Sequence, residues 1–554
     1  MNKRMTKFIA IPLSAFLSLG MFSACTVLNN SGTPAEEEKK DDISGYITSI
    51  EDEPDTVDFQ CTTIYYTIAT NVFNRLVDME ADRKGRVKIR PSLAESWEIS
   101  EDGKVYTFHL RKGVRFSNGS DLTSSDVEYT FTRLLTYPGT FNKDIAEWIV
   151  GGAALEHGEA DRLEGFRTIS DHDFELTLEE PFEAFLACLS MPGASILDRE
   201  TTEQAGDKFG IDPAWTIGTG SFILTEWDRE KGMILKANKD CWAGAPGGEG
   251  LNLLFMNDPE EIRMMFEDGS LDVLNLDEVG SAAEYYMHGD IYRDRLYEVP
   301  RIALTYIALN ESVPVLKDVR VRKALQMSLN RSVLLDAVYS GRGKVENGIF
   351  PEGLYGYNPD LAEIPYDPEG AKALLAEAGV PDGFSFTVYV KSSSTQWEMT
   401  LMRMAVSMWE EIGVRAEIKV VSEDEFMTNR KAGTLDCYSA MWSADFNDPD
   451  NFIYTFFGTK ENTKNRSLNY PKEDIMARVR AARGIHDSEK RIEEYQTLEE
   501  LIVQQDAAWI PLFSRKYYYV TSKRLHGFSY DWMGSVKNVY RRMWVDPPAD
   551  EVKS

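Results

Sequence analysis

The sequence predicts an α/β protein with more than one domain. The chain has 554 residues, which is too many for a single hydrophobic core. Between residues 367 and 421 helix and strand patterns alternate, and this alternation is typical of α/β domains. The chain shows no short internal repeat, and no stretch after the N-terminus approaches the 18 apolar residues expected of a membrane span.

Residues 1–24 have the composition of a secretory signal peptide. An interrupted apolar stretch over residues 8–22 is short for a permanent membrane span. It ends in Phe22-Ser-Ala-Cys25, where small residues precede a cysteine as in bacterial lipoprotein signals. We therefore predict lipidation of Cys25, and the alternative is an ordinary secretory signal with an unrelated cysteine. The basic residues before the apolar stretch are Lys3, Arg4 and Lys7.

Residues 25–45 are polar and poor in core-forming side chains, so they predict a flexible tether. The whole chain carries a formal net charge of −30. This charge argues against nucleic-acid binding, which draws on lysine and arginine at phosphates. It fits a soluble, extracytoplasmic protein attached to the membrane by lipid.

The first recognisable element is a hairpin. Asp102-Gly103 is a tight-turn dipeptide, and Asn118-Gly119 marks the next turn. Between them, alternating apolar residues predict a half-buried strand. Its inward-facing residues are Tyr106, Phe108 and Leu110.

Further elements follow in the second half of the chain. Asp318 is a suitable N-cap for one helix that extends to Val338. Asp367-Pro368 begins a helix that Gly379 closes. The next patterns predict a strand at 384–390, a helix at 400–412, a strand at 416–421 and a buried strand at 435–441.

Five segments resemble, in order, the signature segments of the bacterial extracellular solute-binding proteins of family 5, which serve peptide-type ABC importers. The resemblance extends from about Tyr46 to Tyr530. Lys239 and Cys241 depart from the family pattern. The segments are Leu93–Asp121, Gly218–Trp227, Ala237–Gly244, Asp318–Leu325 and Tyr366–Gly379.

This resemblance implies a hinged, two-lobe fold of the periplasmic-binding-protein type (class II) with an extra third domain. The hinge crossings are expected near Thr305–Ile307 and Ile510–Phe513. The expected divisions are a signal peptide at 1–24, a lipidated cysteine and tether at 25–45, lobe I at 46–75, 186–304 and 511–545, an extra domain at 76–185 inserted in lobe I, and lobe II at 305–510.

The strongest candidate for ligand binding follows the predicted strand at 435–441. That strand places Trp442 and Asp445 at the end of a strand, where α/β proteins usually bind ligands. A lone carboxylate in a closing cleft suits an ammonium group. The resemblance implies that Asp445 holds the α-amino group of a peptide, and that the peptide pairs with the strand at Met441 and Ser443. The alternatives are a solvated acidic turn, a core tryptophan and a calcium loop, and Pro449 breaks the calcium-loop pattern.

The other end of the ligand is less defined. The dipeptide-binding subgroup has an arginine before the 400–412 helix, and Lys391–Trp397 contains none. Arg430 aligns with an arginine of oligopeptide binders, and the alternative is an exposed basic residue. Glu423 stands where those binders have a tryptophan.

We interpret the chain as a lipid-anchored substrate-binding protein that captures peptides, with oligopeptides favoured, and delivers them to an ABC permease. It is expected to be a monomer, with no catalysis, cofactor, metal or nucleic-acid partner. Within the family, the alternatives are an oligosaccharide, a nickel chelate or another amine. A carboxylate-dependent glycosidase is the rival enzyme class. The chain has six histidines and contains no HExxH, GxSxG or P-loop motif, so the sequence does not indicate the enzymes that depend on those motifs. Buried free thiols are favoured over disulfides at Cys61, Cys188, Cys241 and Cys437.

Overall fold

The computed structural model describes residues 43–63, 65–81 and 87–547. The predicted signal peptide, Cys25 and most of the predicted tether lie outside the described residues. In the part of the chain that is described, no helix is long and apolar enough to cross a membrane.

The strands of the described residues are numbered in chain order. They are β1 (Ile47–Glu51), β2 (Val77–Ala81), β3 (Val87–Pro91), β4 (Ala94–Ile99), β5 (Val105–Leu110), β6 (Phe166–Ser170), β7 (Asp173–Thr177), β8 (Phe222–Asp228), β9 (Gly232–Ala237), β10 (Gly250–Phe255), β11 (Val273–Asn275), β12 (Leu296–Pro300), β13 (Ala303–Leu309), β14 (Gly343–Val345), β15 (Ser385–Lys391), β16 (Arg415–Val421), β17 (Cys437–Ser443), β18 (Trp509–Thr521), β19 (Leu525–His526) and β20 (Trp544–Val545).

The α-helices are numbered in the same way, and a π-helical segment, Glu500–Gln505, continues the last of them. They are α1 (Thr67–Val72), α2 (Ser124–Thr136), α3 (Asp144–Glu147), α4 (Gly152–Glu156), α5 (Phe185–Cys188), α6 (Arg199–Ala205), α7 (Pro259–Asp268), α8 (Ala283–His288), α9 (Val319–Met327), α10 (Arg331–Tyr339), α11 (Pro368–Glu377), α12 (Gln396–Glu411), α13 (Glu423–Ala432), α14 (Asp450–Phe457), α15 (Lys460–Asn465), α16 (Glu473–Ala482) and α17 (Ser488–Glu499).

One large sheet contains most of the strands, in the order β16-β15-β17-β13-β18-β11-β1-β10-β9-β8. Parallel pairs occur at both ends of this order, for example β15 with β16 and β1 with β10. A separate antiparallel sheet has the order β4-β5-β7-β6. Parallel strands with helical connections, mixed with antiparallel strands, confirm the predicted α/β class.

Strand β18 connects two groups of strands. Its first residues pair with β13, in the register Ile307 with Ile510 and Thr305 with Phe513. Its last residues pair with β12 and β11 instead. The two predicted hinge segments are therefore hydrogen-bonded neighbours, and the continuous β18 joins the strand groups of the two lobes. The domain boundaries themselves stay predictions.

The hydrophobic core is divided into several clusters. The first is formed mainly by residues between 76 and 196, and Phe446 packs into it from far along the chain. Two clusters lie within residues 302–513. Two more combine residues 47–73 with residues 197–299 and the C-terminal strands. This division gives each group of strands its own apolar support.

Most local predictions are confirmed. In β5 the residues Tyr106, Phe108 and Leu110 are buried and alternate with less buried neighbours. Asp367 caps α11 by accepting a hydrogen bond from the Gly370 N–H. The four cysteines within the described residues are free, as favoured, although Cys61 is only half-buried.

The prediction of one helix from Asp318 to Val338 is wrong. The Asp318 carboxylate caps α9, as expected, by accepting from the Arg320 N–H. That helix ends at Met327, and the side chain of Asn330 caps a second helix, α10, by accepting from the Val333 N–H. An asparagine side chain readily accepts hydrogen bonds from the first N–H groups of a helix. Asn330 therefore begins a new helix, although the apolar pattern continues from α9 into α10.

Candidate functional site

The end of β17 borders a cavity of about 410 Å³. Ser443, Ala444 and Asp445 line it, together with Arg301 and Ile302 from the β12–β13 connection. Residues from distant parts of the chain line it as well, among them Tyr65, Tyr66, Tyr517, Lys537 and Asn538. The structure therefore places Asp445 and Ser443, two of the predicted ligand-binding residues, in one cavity.

Asp445 has an amide partner but no cation at ion-pair distance among the described residues. Its Oδ2 accepts a hydrogen bond from Asn451 Nδ2 at 2.9 Å. Its own backbone N–H donates to Asn451 Oδ1 at 3.0 Å. Burial raises the pKa of the Asp445 carboxyl, and the Asn451 hydrogen bond and Arg466 partly oppose this rise. The carboxylate is held in position and is open to a cationic ligand.

Two acids that follow Asp445, one in the loop and one at the start of α14, have partners. Arg491 binds Asp448 through two hydrogen bonds of 2.6 and 2.8 Å, and both side chains are buried. Arg483 Nε lies 3.1 Å from Asp450 Oδ1. Asp448 and Asp450 are therefore bonded within the protein rather than exposed as in a solvated turn. No three His, Cys, Asp or Glu side chains of the described ranges are arranged to hold a metal ion.

Trp442 does not line the cavity that holds Asp445, but it contacts Asn451, the residue that binds Asp445. Its indole Nε1 donates to Asn451 Oδ1 at 3.3 Å, and its ring packs edge-on against Phe456. The guanidinium carbon of Arg466 lies 4.8 Å from the ring centroid of Trp442. Asn451 therefore links Trp442 to Asp445, because it bonds both side chains.

The backbone of β17 has one unpaired edge. On one side β17 pairs with β13 along its whole length. On the other side β15 reaches it only at Val388 with Cys437, so no strand within the described residues pairs with residues 439–443 there. The Ala444 N–H donates to the Ile302 carbonyl of the β13 side. Since strand residues alternate, the backbone groups of Met441 and Ser443 point to the unpaired edge.

Arg430 lies beside a different cavity. This second cavity has a volume of about 630 Å³, and Arg430, Arg466 and Asn451 line it together with Phe446. Arg430 Nε is buried and has no hydrogen-bond partner. Asn451 lines this cavity and also bonds Asp445. The structure places Arg430 in a different cavity from Ser443 and Asp445.

Three functional candidates were missed in the sequence. Arg301 lines the first cavity, where its Nη2 lies 3.4 Å from Ser443 Oγ. Arg466 lies over Trp442, as described above. Asp144, at the start of α3, faces the second cavity, and burial and the nearby Asp445 raise the pKa of its carboxyl to about 6. Single charged residues far apart in the chain carry no local pattern that would have identified them.

The chain is similar to known proteins over most of its length. The family model described as bacterial extracellular solute-binding proteins, family 5 middle, matches residues 88–464. A dipeptide-binding protein of Escherichia coli (strain K12) is 30% identical over 500 residues, covering 86% of this chain and 90% of that protein. Heme-binding protein A of Haemophilus influenzae is 28% identical over 478 residues, covering 84% of this chain and 86% of that protein. The solved structure of HbpA2 from Haemophilus parasuis superposes with a TM-score of 0.75 at 27% identity, covering 90% of this chain and 99% of that one.

Proposed function

The chain belongs to the bacterial extracellular solute-binding proteins of family 5, and we propose that it captures peptides with a free amino terminus outside the cell membrane and delivers them to an ABC permease. The family is one of binding proteins, so the proposed role is capture and release without catalysis. The name of the dipeptide-binding relative supports a peptide as the ligand.

One observation carries the proposal. Asp445 is oriented by Asn451, lines a cavity and has no cation at ion-pair distance among the described residues. A charged carboxylate in such a place gains most from a ligand ammonium group, through a charge-assisted hydrogen bond. The unpaired edge of β17 begins two residues before it, where Met441 and Ser443 can pair with the ligand backbone as an added strand.

Arg301 completes a site for a zwitterion. It lines the same cavity as Asp445, and within the described part of the chain it contacts Ser443 and Tyr517 rather than a carboxylate. A guanidinium without an acidic partner suits the terminal carboxylate of a peptide. The second basic residue that lines this cavity, Lys537, is already paired with Glu51 at 2.8 Å.

The test is a four-way comparison of Asp445→Asn and N-acetylation of the ligand. Asp445→Asn keeps the shape of the side chain but removes its charge, so a free amine would be buried without a counter-charge. We expect a loss of about 2–5 kcal/mol, or about 30-fold to several-thousand-fold in affinity, for the tripeptide Ala-Ala-Ala. The N-acetyl tripeptide should lose a comparable amount on the unmodified protein, and the two losses should not add.

Isothermal calorimetry on the four combinations measures these losses, with circular dichroism to confirm folding. If folded Asp445→Asn binds the free-amine peptide as tightly as the unmodified protein, the role of Asp445 is refuted. If N-acetyl peptides or neutral sugars bind better, the peptide proposal fails as well.

We also propose anchoring through Cys25, which lies outside the described residues. The basic start, the interrupted apolar stretch and Phe22-Ser-Ala-Cys25 support this. Cys25→Ser removes the thiol that would carry the acyl chains, and stable attachment needs more than one such chain. We expect the variant to move from the membrane pellet to the soluble fraction after cell fractionation. A variant that still pellets with membranes would contradict lipidation.

A further inference from the structure

The second cavity contains two arginines without a carboxylate at ion-pair distance among the described residues. The Arg466 guanidinium lies over two aromatic rings, Trp442 at 4.8 Å and Phe456 at 5.1 Å, and Asp445 is near enough to influence its pKa. Arg430 lines the same cavity, and its Nε is buried without a hydrogen bond. Within the described ranges neither guanidinium forms an ion pair. Burial, and with it the nearby Arg430, lowers the pKa of the Arg466 guanidinium.

The acids of this cavity do not compensate these charges. Asp450 is bound by Arg483 at 3.1 Å. Glu147 is hydrogen-bonded to Glu156, and burial and that neighbour raise its pKa to about 7. Asp144 lies toward Asp445 and is itself repelled by it. Apart from the influence of Asp445 on Arg466, no carboxylate among the described residues balances this pair of like charges, and buried charges are costly unless an opposite charge joins them.

The position of the arginines indicates which part of a ligand would reach them. In β17 the side chains of Tyr438 and Trp442 point to one face of the strand, and Ser443 points to the other. Arg466 stacks on Trp442 and so lies on the first face, whereas Arg301 contacts Ser443 on the opposite face. A peptide along the unpaired edge keeps its backbone at that edge. A ligand side chain that points to the first face would then lie toward Arg466.

We propose that Arg466, assisted by Arg430, forms a subsite for an acidic side chain on the first residue of the ligand, the residue whose ammonium group binds Asp445. This inference deepens the proposed function and rests on it. It makes the protein selective for peptides with glutamate or aspartate at their first position. Arg466 determines specificity here, whereas Asp445 provides the general attachment point for peptides.

The test compares the tripeptides Glu-Ala-Ala and Gln-Ala-Ala, which differ by one charge, in calorimetric titrations. On the unmodified protein we expect Glu-Ala-Ala to bind about 10- to 100-fold more tightly, as a charge-assisted hydrogen bond would provide. Arg466→Gln should abolish this preference, so that Glu-Ala-Ala and Gln-Ala-Ala bind the variant with equal affinity. Arg466→Lys keeps a positive charge and should retain part of the preference.

Lys464→Gln is the matched control. Lys464 lies two residues away in α15, is exposed and does not line the cavity, so the same change of charge there should leave the preference intact. A C-terminally amidated Ala-Ala-Ala identifies the alternative source of a carboxylate. If amidation weakens binding to the unmodified protein but not to Arg466→Gln, then Arg466 meets the chain terminus and the side-chain subsite is refuted.

Two further outcomes separate this inference from the proposed function. If all the tripeptides bind and Glu-Ala-Ala has no advantage over Gln-Ala-Ala, the subsite is refuted and peptide capture stands. If none of the tripeptides binds to folded protein, the proposed function and the subsite both fail.

Discussion

Asp448, near the end of the loop after β17, and Asp450, the first residue of α14, are each bonded to a buried arginine, whereas Asp445 has no cation at ion-pair distance among the described residues. The three carboxylates lie within six residues of one another in the chain. The same contrast divides the arginines, since Arg491 and Arg483 have carboxylate partners and Arg466 has none within the described residues. The presence of a charged side chain therefore does not identify the candidate site. The absence of an oppositely charged partner among the described residues does.

The difference has an energetic reason. A buried charge is tolerated when an opposite charge and further hydrogen bonds compensate its lost hydration. Asp448 has two hydrogen bonds from Arg491, so it is part of the fold. Asp445 has only the neutral amide of Asn451, and burial raises the pKa of its carboxyl. In a site for a cationic ligand, the carboxylate stays without a counter-charge until the ligand binds.

The largest expected effect tests the paired region. Asp448→Ala leaves the buried guanidinium of Arg491 without its counter-charge, so the free energy of unfolding should fall by about 3–5 kcal/mol. Chemical denaturation followed by circular dichroism measures this. Arg491→Met combined with Asp448→Asn should be less damaging than Asp448→Ala, because no charge is left unpaired.

Asp445→Asn is the matched comparison for stability in the same loop. It removes a carboxylate whose burial is uncompensated, so the unfolding free energy should change by less than about 1 kcal/mol. A loss as large as that of Asp448→Ala would show that Asp445 is a structural residue, and the contrast between the two ends of the loop would not hold.

A smaller effect is expected from pH. The pKa of Asp144 is raised to about 6 in the free protein, chiefly by burial and then by Asp445. A ligand ammonium favours the ionised carboxylates, so affinity for Ala-Ala-Ala should be constant above pH 7. It should fall below about pH 6, by no more than about tenfold per pH unit for one group. Calorimetry at several pH values measures the profile.

The stability of the free protein should respond in the opposite direction. A carboxyl with a raised pKa binds its proton more tightly in the folded state than in the unfolded state. Its contribution to stability is complete below its ordinary pKa and is lost as the pH rises through about 6. Asp144→Asn should flatten the affinity profile and remove this contribution. An affinity that stays unchanged from pH 5 to 8 would exclude Asp144 from the ligand site.

The local elements could be predicted where one residue type controls the backbone. Asp367-Pro368 and Asp102-Gly103 are such cases, because a cap or a turn depends on a few adjacent residues. The break between α9 and α10 was missed because Leu325, Leu329 and Leu334 continue an apolar pattern across it. Only the capping bond of Asn330 distinguishes two helices from one.

The candidate site was partly predictable for a similar reason. Asp445 and Ser443 follow a recognisable strand, and a family resemblance assigned them roles that stay predictions. Arg301, Asp144 and Arg466 come from separate segments, and their meaning depends on which charges surround them after folding. The sequence contains 60 lysines and arginines and 90 aspartates and glutamates. With so many charges, the sequence alone does not show which basic residue forms an ion pair with which acid.

The unpaired edge of β17 also bears on self-association. A strand edge with free N–H and C=O groups is a template on which another chain can add, and proteins usually protect such edges by shortness, charge or cover. Here the free edge spans only residues 439–443, and the arginine-lined cavity and the Asp445 loop adjoin it. The groups suited to a peptide therefore also discourage strand-by-strand aggregation, since a second copy would bring an identical Asp445 and Arg466 against the same charges.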